Sequence, residues 1–219
     1  MAAETVASSF ETEAKPLYGI INNAGIGSSS IGLEPTLQVN TWGIHRVCEA
    51  FVPLLEASGR IVNVTSAAGP NFVEAADDVT RTMLTDPDLQ WDAVEEYMNR
   101  CISESKDSAS TTSGLGNAYG LSKACANALT LIHARENPGL TINACTPGFI
   151  ETDMTRPFAE SQGKSASEMG MKTPDQGSSA SVFLMMGEVP GSGMYFGSDC
   201  LRSPLDRYRS PGDPPYEGD

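Results

Sequence analysis

Tyr119 and Lys123 stand four residues apart in the run Ala118-Tyr-Gly-Leu-Ser-Lys-Ala124. Residues at that spacing share a helix face, so an ammonium can sit beside a phenol. A phenol with an ordinary pKa of about 10 is a poor acid or base at neutral pH, and a neighbouring cation favours its phenolate and lowers that value. The pair therefore has the makings of a general acid/base. Such pairs also occur by chance on solvated helices, so the elements around this one decide its meaning.

Those elements alternate. Leu17-Tyr-Gly-Ile-Ile-Asn22 is a short apolar run closed by Asn-Ala-Gly, the pattern of a buried parallel strand. Arg60-Ile-Val-Asn-Val-Thr65 and Leu140-Thr-Ile-Asn-Ala-Cys145 read the same way, and Gly193-Met-Tyr-Phe196 as a last strand. Between them Val39, Gly43, Val47, Phe51 and Leu55 recur every four residues and predict one helix across 35–55, and Leu121, Cys125, Leu129 and Ile132 predict another. Residues 2–15 predict a short helix ended by Pro16, and Thr173-Pro174-Asp175 supplies an N-cap, a first-turn proline and an early acid for a helix to about Met186. Strands separated by helices imply an α/β fold, a doubly wound parallel sheet with flanking helices. In such a sheet ligands sit at the carboxyl ends of the strands. Asn22-Asn-Ala-Gly25, Thr65-Ser-Ala-Ala-Gly69 and Thr146-Pro-Gly148 all lie at such ends and should face one crevice.

Composition narrows the function. The 219 residues suffice for one domain with a sizeable core, and a formal charge of −14 argues against a nucleic-acid surface and an anionic membrane. Five cysteines with no C-x-x-C pair fit reduced thiols and a cytoplasmic setting. There is no basic leader in the first twenty residues and no apolar run of membrane-spanning length. His45 and His133 have no ligand partners in the sequence, so no metal site is expected.

Taken together, Asn-Asn-Ala-Gly at 22–25, Asn40, Ile-Val-Asn-Val-Thr-Ser at 61–66, Tyr-x-x-x-Lys at 119–123 and Pro-Gly-x-x-x-Thr at 147–152 resemble a short-chain dehydrogenase/reductase, over about 130 residues. The resemblance implies a Rossmann-like fold and a catalytic set of Asn40, Ser66, Tyr119 and Lys123. Ser66 would hydrogen-bond a substrate carbonyl oxygen, Tyr119 would give it a proton, and Lys123 would bind the ribose and depress the Tyr119 pKa. Asn40 would hold a water linking Lys123 to solvent. Asn22, Ala24 and Gly25 would line the adenosine side of the cofactor, and Pro147, Gly148, Ile150 and Thr152 would shape the nicotinamide pocket. Plainer readings stand beside these: Asn40 pairing within its helix, Thr152 as a helix N-cap, and Ser66 as a turn residue.

Ser66 and Tyr119 lie 53 positions apart, where most members place them about a dozen apart. The segment 71–113 carries ten acids against three bases, half of the chain's net charge, and a helical apolar face through Leu89, Ala93, Tyr97 and Cys101. Such an insertion resembles the carbonyl reductases and their plant menthone- and salutaridine-reductase relatives. That subgroup resemblance implies NADPH rather than NADH, a small-molecule carbonyl substrate, and a monomer whose inserted helices cover a face used elsewhere for dimerisation. Residues 149–172, with Met154 and Phe158, are the expected substrate lid, and the proline-rich 204–219 is expected to be a loose tail on a domain of 1–203. A full member opens with a strand and the phosphate loop T-G-x-x-x-G-x-G; Gly25-Ile-Gly27-Ser-Ser-Ser30 lacks its third glycine and the helix that should follow. The chain therefore reads as N-terminally truncated, with an exposed first strand and weakened dinucleotide binding. A non-catalytic remnant acting through protein contacts is the alternative to a reductase.

Overall fold

The computed structural model describes residues 2–10, 16–27, 31–107 and 118–218. Four strands form one sheet in the order β1 (Leu17–Asn22), β2 (Leu55–Val64), β3 (Thr141–Cys145) and β4 (Tyr195–Phe196), all parallel. The apolar runs of β2 and β3 lie between two helical layers, as parallel strands require, whereas β1, at the sheet edge, leaves Tyr18 and Ile21 exposed and is not the buried strand its sequence suggests. Ile61, Val62, Ile142 and Cys145 are at most 1% exposed, and burying an aliphatic side chain of this size contributes about 1.5–3 kcal/mol. Alternation sends Ile61 and Ile142 toward α3 (Trp42–Phe51) and α7 (Ala118–Glu136), and Val62 and Cys145 toward α9 (Pro174–Met186). The sheet is thus Rossmann-like, with helices on both faces.

Several elements differ from the sequence reading, each for a local reason. The helix expected across 35–55 is two helices, α2 (Leu33–Asn40) and α3, broken at Thr41 with φ −121° and ψ −64°. The Thr41 hydroxyl donates to Ser122 O on α7 at 2.9 Å, a tertiary bond that periodicity does not reveal. β2 starts at Leu55 rather than Arg60, and β4 is only two residues long. α1 (Ala2–Phe10) covers the first part of its expected helix, whose residues 11–15 lie outside the described set. The α9 start holds as read: Thr173 and Gln176 form a capping box with Pro174 in the first turn.

Among the described residues the acidic segment takes in most of α4 (Ala68–Ala75) and all of α5 (Asp78–Thr85) and α6 (Trp91–Asp107); its residues 108–113 lie outside the described set. α6 begins two residues after Leu89, because Asp86 spends its carboxylate on an Asp88 N–H at 2.8 Å and so forms a turn. Val94, Tyr97, Met98 and Cys101 of α6 pack with Leu37, Trp42, Leu121 and Cys125 in one buried cluster. The apolar side of the insertion therefore covers the domain's own α2 and α7. Arg135 at the end of α7 donates to Pro87 O and Leu89 O, fastening the approach to α6.

Beyond Ser203 the described residues form no helix or strand, yet they are not merely draped over the surface. Arg209 is 6% exposed, bridges to Asp199 at 2.5 Å, and donates to Arg202 O, Ser210 O and Asp213 O. Arg202 reaches Gly218 O and lies 5.4 Å from the Tyr216 ring centroid. The expectation of a loose tail fails to anticipate this anchoring, because turn-rich composition reports on helix and strand and not on one buried guanidinium.

Candidate active site

α7 opens at the carboxyl ends of the strands, which puts Tyr119 and Lys123 on its first two turns beside the ends of β1, β2 and β3. Lys123 is 3% exposed; its Nζ donates to Val64 O at 3.1 Å and lies 5.6 Å from the Tyr119 ring centroid. Burial pulls the Lys123 pKa down to about 8, with the Cys145 thiol acting weakly the other way. The Tyr119 phenol is pushed above its usual value by burial, while Ser66, in hydrogen-bonding reach, pulls it down. This corrects the expectation that Lys123 depresses the phenol: the ammonium lies over the ring, and desolvation wins. A phenol that keeps its proton is the form needed to donate one.

Ser66 follows β2, and its hydroxyl accepts from Ala68 N at 3.2 Å, which orients Oγ at the start of α4. Asn40 is fully buried, with Oδ1 accepting from Ile26 N at 2.9 Å and Nδ2 donating to Ile26 O at 2.8 Å and Ser122 Oγ at 3.0 Å. Both amide hydrogens are thereby engaged in holding the 25–27 loop against α7. Ser122 completes the link by donating to Tyr119 O at 2.7 Å. The side-chain pairing runs from helix to loop rather than within the helix.

The loop explains its glycines. A Cβ on Gly25 would lie 3.3 Å from Asn40 Oδ1 and 3.4 Å from Lys123 Nζ, and one on Gly27 would be driven to 2.6 Å from the Tyr119 ring. Gly25 thus leaves a bare approach to the ammonium, and Gly27 lets the loop lie flat on the phenol. Met154 Sδ reaches the same point from the 149–172 segment, 3.4 Å from that Gly27 position. Gly27 and Ser122 were missed as site residues because only their tertiary contacts mark them.

The remaining expected residues take two positions. Asn22 is buried, donating to Asn63 Oδ1 at 2.8 Å, and so holds the sheet rather than facing the crevice; Ala24 is exposed. Pro147 and Gly148 turn the chain after β3, with Gly148 at φ +88° and its N–H on Thr146 Oγ1 at 3.1 Å. Ile150 packs on Gly177 and bridges to Lys172. Thr152 is exposed; the cap of α8 (Arg156–Ser161) is Thr155, whose Oγ1 receives Thr152 N at 3.0 Å. In the 149–172 segment Phe149, Met154 and Phe158 are all exposed, and the two phenyl rings meet edge to face at 6.2 Å.

Known proteins resemble this chain in sequence and fold. The short chain dehydrogenase family profile matches residues 2–76. The chain is 28% identical over 181 residues to carbonyl reductase [NADPH] 1 of Bos taurus and 31% identical over 170 residues to carbonyl reductase [NADPH] 3 of Rattus norvegicus. These matches support a short-chain dehydrogenase/reductase of the carbonyl-reductase kind. These matches cover 76% and 71% of this chain but 61% and 60% of the relatives, so the chain spans about three fifths of their length. Among solved structures, salutaridine reductase from Papaver somniferum superposes with a TM-score of 0.72 at 24% identity, covering 89% of this chain and 77% of that one. Menthone neomenthol reductase from Mentha piperita gives 0.65 at 20%, covering 90% and 75%, and both bear on the fold alone. No helix among the described residues is long and apolar enough to cross a membrane, and no group of three metal-ligating side chains converges among them.

Proposed function

We propose that this chain reduces the carbonyl of a ketone or aldehyde to an alcohol with NADPH. The observation that carries the reading is the convergence of a half-buried, protonated Tyr119 phenol, the Ser66 hydroxyl and the Lys123 ammonium at the carboxyl ends of β1 to β3. The residues fit the nicotinamide-ribose end of the cofactor: Gly25 leaves the approach to Lys123 bare, and the bond to Val64 O engages one of three ammonium donors. When bound, the reduced nicotinamide supplies the hydride. Ser66 donates a hydrogen bond to the substrate oxygen as negative charge grows there. Tyr119 gives that oxygen its proton, and Lys123 stabilises the resulting phenolate while holding ribose hydroxyls. Asn40 and Ser122 keep the 25–27 loop and the Tyr119 backbone in register.

NADPH is favoured over NADH by the named cofactor of the carbonyl reductases that the chain resembles. A monomer is supported by α6, whose apolar side is spent on α2 and α7. Five free cysteines support a reducing compartment such as the cytoplasm. The non-catalytic reading makes the opposite prediction for cofactor binding. Titrating the protein with NADPH while following nucleotide fluorescence should give saturable binding at or below millimolar cofactor, and no binding there overturns the reductase reading.

A further inference from the structure

The lid is a loop whose two ends are joined at one residue. Lys172 N donates to Phe149 O at 2.8 Å and Glu151 N donates to Lys172 O at 2.9 Å, so the backbone of Lys172 closes the neck of the segment from both sides of Ile150. The Lys172 ammonium turns away from the lid and donates to Ser198 Oγ at 3.1 Å. Ser198 is 8% exposed, lies two residues past β4, and stands in hydrogen-bonding reach of the Tyr208 phenol. Gly148 fills the third side. A Cβ there would lie 3.1 Å from Ser198 Cβ and Oγ and 3.6 Å from Lys172 Nζ, so the bare face of the Pro147-Gly148 turn rests on this bond. Asp199, next to Ser198, takes the buried Arg209 guanidinium and roots the same loop in the tail.

We propose that Lys172 is a positioning residue, clamping the neck of the substrate lid and the Pro147-Gly148 turn to the 197–203 loop through Ser198. The site then depends on the tail through one side chain: when the Lys172–Ser198 bond breaks, lid neck, turn and tail lose their common support. This rests on the reductase reading for its kinetic consequence but not for its mechanical one. Lys172→Met and Ser198→Ala test both, because the lid and the tail each carry an exposed tryptic site, at Lys164 and Arg207. A hydrogen bond from a charged donor is worth enough that its loss changes an equilibrium by on the order of tenfold. Both variants should be cut about tenfold faster at Lys164 and Arg207 and should raise KM for the carbonyl substrate by about tenfold. Their kcat should stay within about twofold and the melting temperature should be unchanged, and Lys172→Arg should restore the wild-type values. Wild-type cleavage rates in both variants, or a cleavage increase that only follows a fall in melting temperature, overturn the clamp. A wild-type protein that turns over no carbonyl overturns the reductase reading, and the cleavage rates still judge the clamp.

Discussion

At the scale of single residues, burial sets the chemistry more than the Tyr-Lys pairing does. Desolvation holds Tyr119 protonated and brings Lys123 down to about 8, which would suit them to opposite tasks in the proposed reaction, proton donor and switchable cation. Raising the pH through about 8 removes the ammonium before it removes the phenol proton. The profile of kcat/KM for carbonyl reduction, which reports the free protein, should therefore fall with unit slope above pH about 8; a limb appearing only above pH 10 contradicts the Lys123 assignment. Tyr119, Lys123 and Ser66 were legible because each sits at a strand end or a helix start that periodicity locates. Gly27 and Ser122 were not, since a glycine packed on a ring and a serine bridging an amide to a helix carbonyl exist only after the chain has folded.

At the scale of elements, α7 holds the site together and also carries its most pH-sensitive contact. His133 on α7 and His45 on α3 face each other at 3.3 Å, and His45 stacks on Trp91 of α6 with ring centroids 4.1 Å apart. His133 is 3% exposed with no partner for Nδ1, and burial together with His45 lowers its pKa to about 4. Burial lowers His45 as well, against the pull of Glu49, Glu95 and Glu136 and with the push of Arg46. The folded pKa of His133 lies below its unfolded value of about 6.5, so its contribution to stability is complete above pH 6.5 and lost as pH falls toward 4. A shift of this size corresponds to roughly 3 kcal/mol. His133→Gln should flatten the urea-unfolding stability between pH 6.5 and 4 by about that amount relative to wild type, and parallel curves for the two proteins contradict it. The same seam shows where sequence reading stops: four-residue spacing gave α6 an apolar face, but not that Trp91 would cover a histidine pair. The short helices α4, α5 and α8 left too little periodic pattern to be read.

At the scale of the molecule, the parallel sheet followed from its apolar runs, and the crevice followed from the sheet, because three strand ends carried turn residues with chemical function. The tail's anchoring by Arg209 did not follow, since a single buried ion pair has no sequence period. In the proposed reaction the central claim is that Tyr119 delivers a proton to a carbonyl oxygen while the rest of the fold presents NADPH to it. Following NADPH consumption with a panel of ketones and aldehydes, in wild type and in Tyr119→Phe, tests that claim most directly. The wild type should turn over and the variant should lose about a thousandfold or more, in line with removing a general acid, with NADPH binding by fluorescence retained; a variant that still reduces the same carbonyls at near the wild-type rate contradicts the proton-donor role of Tyr119.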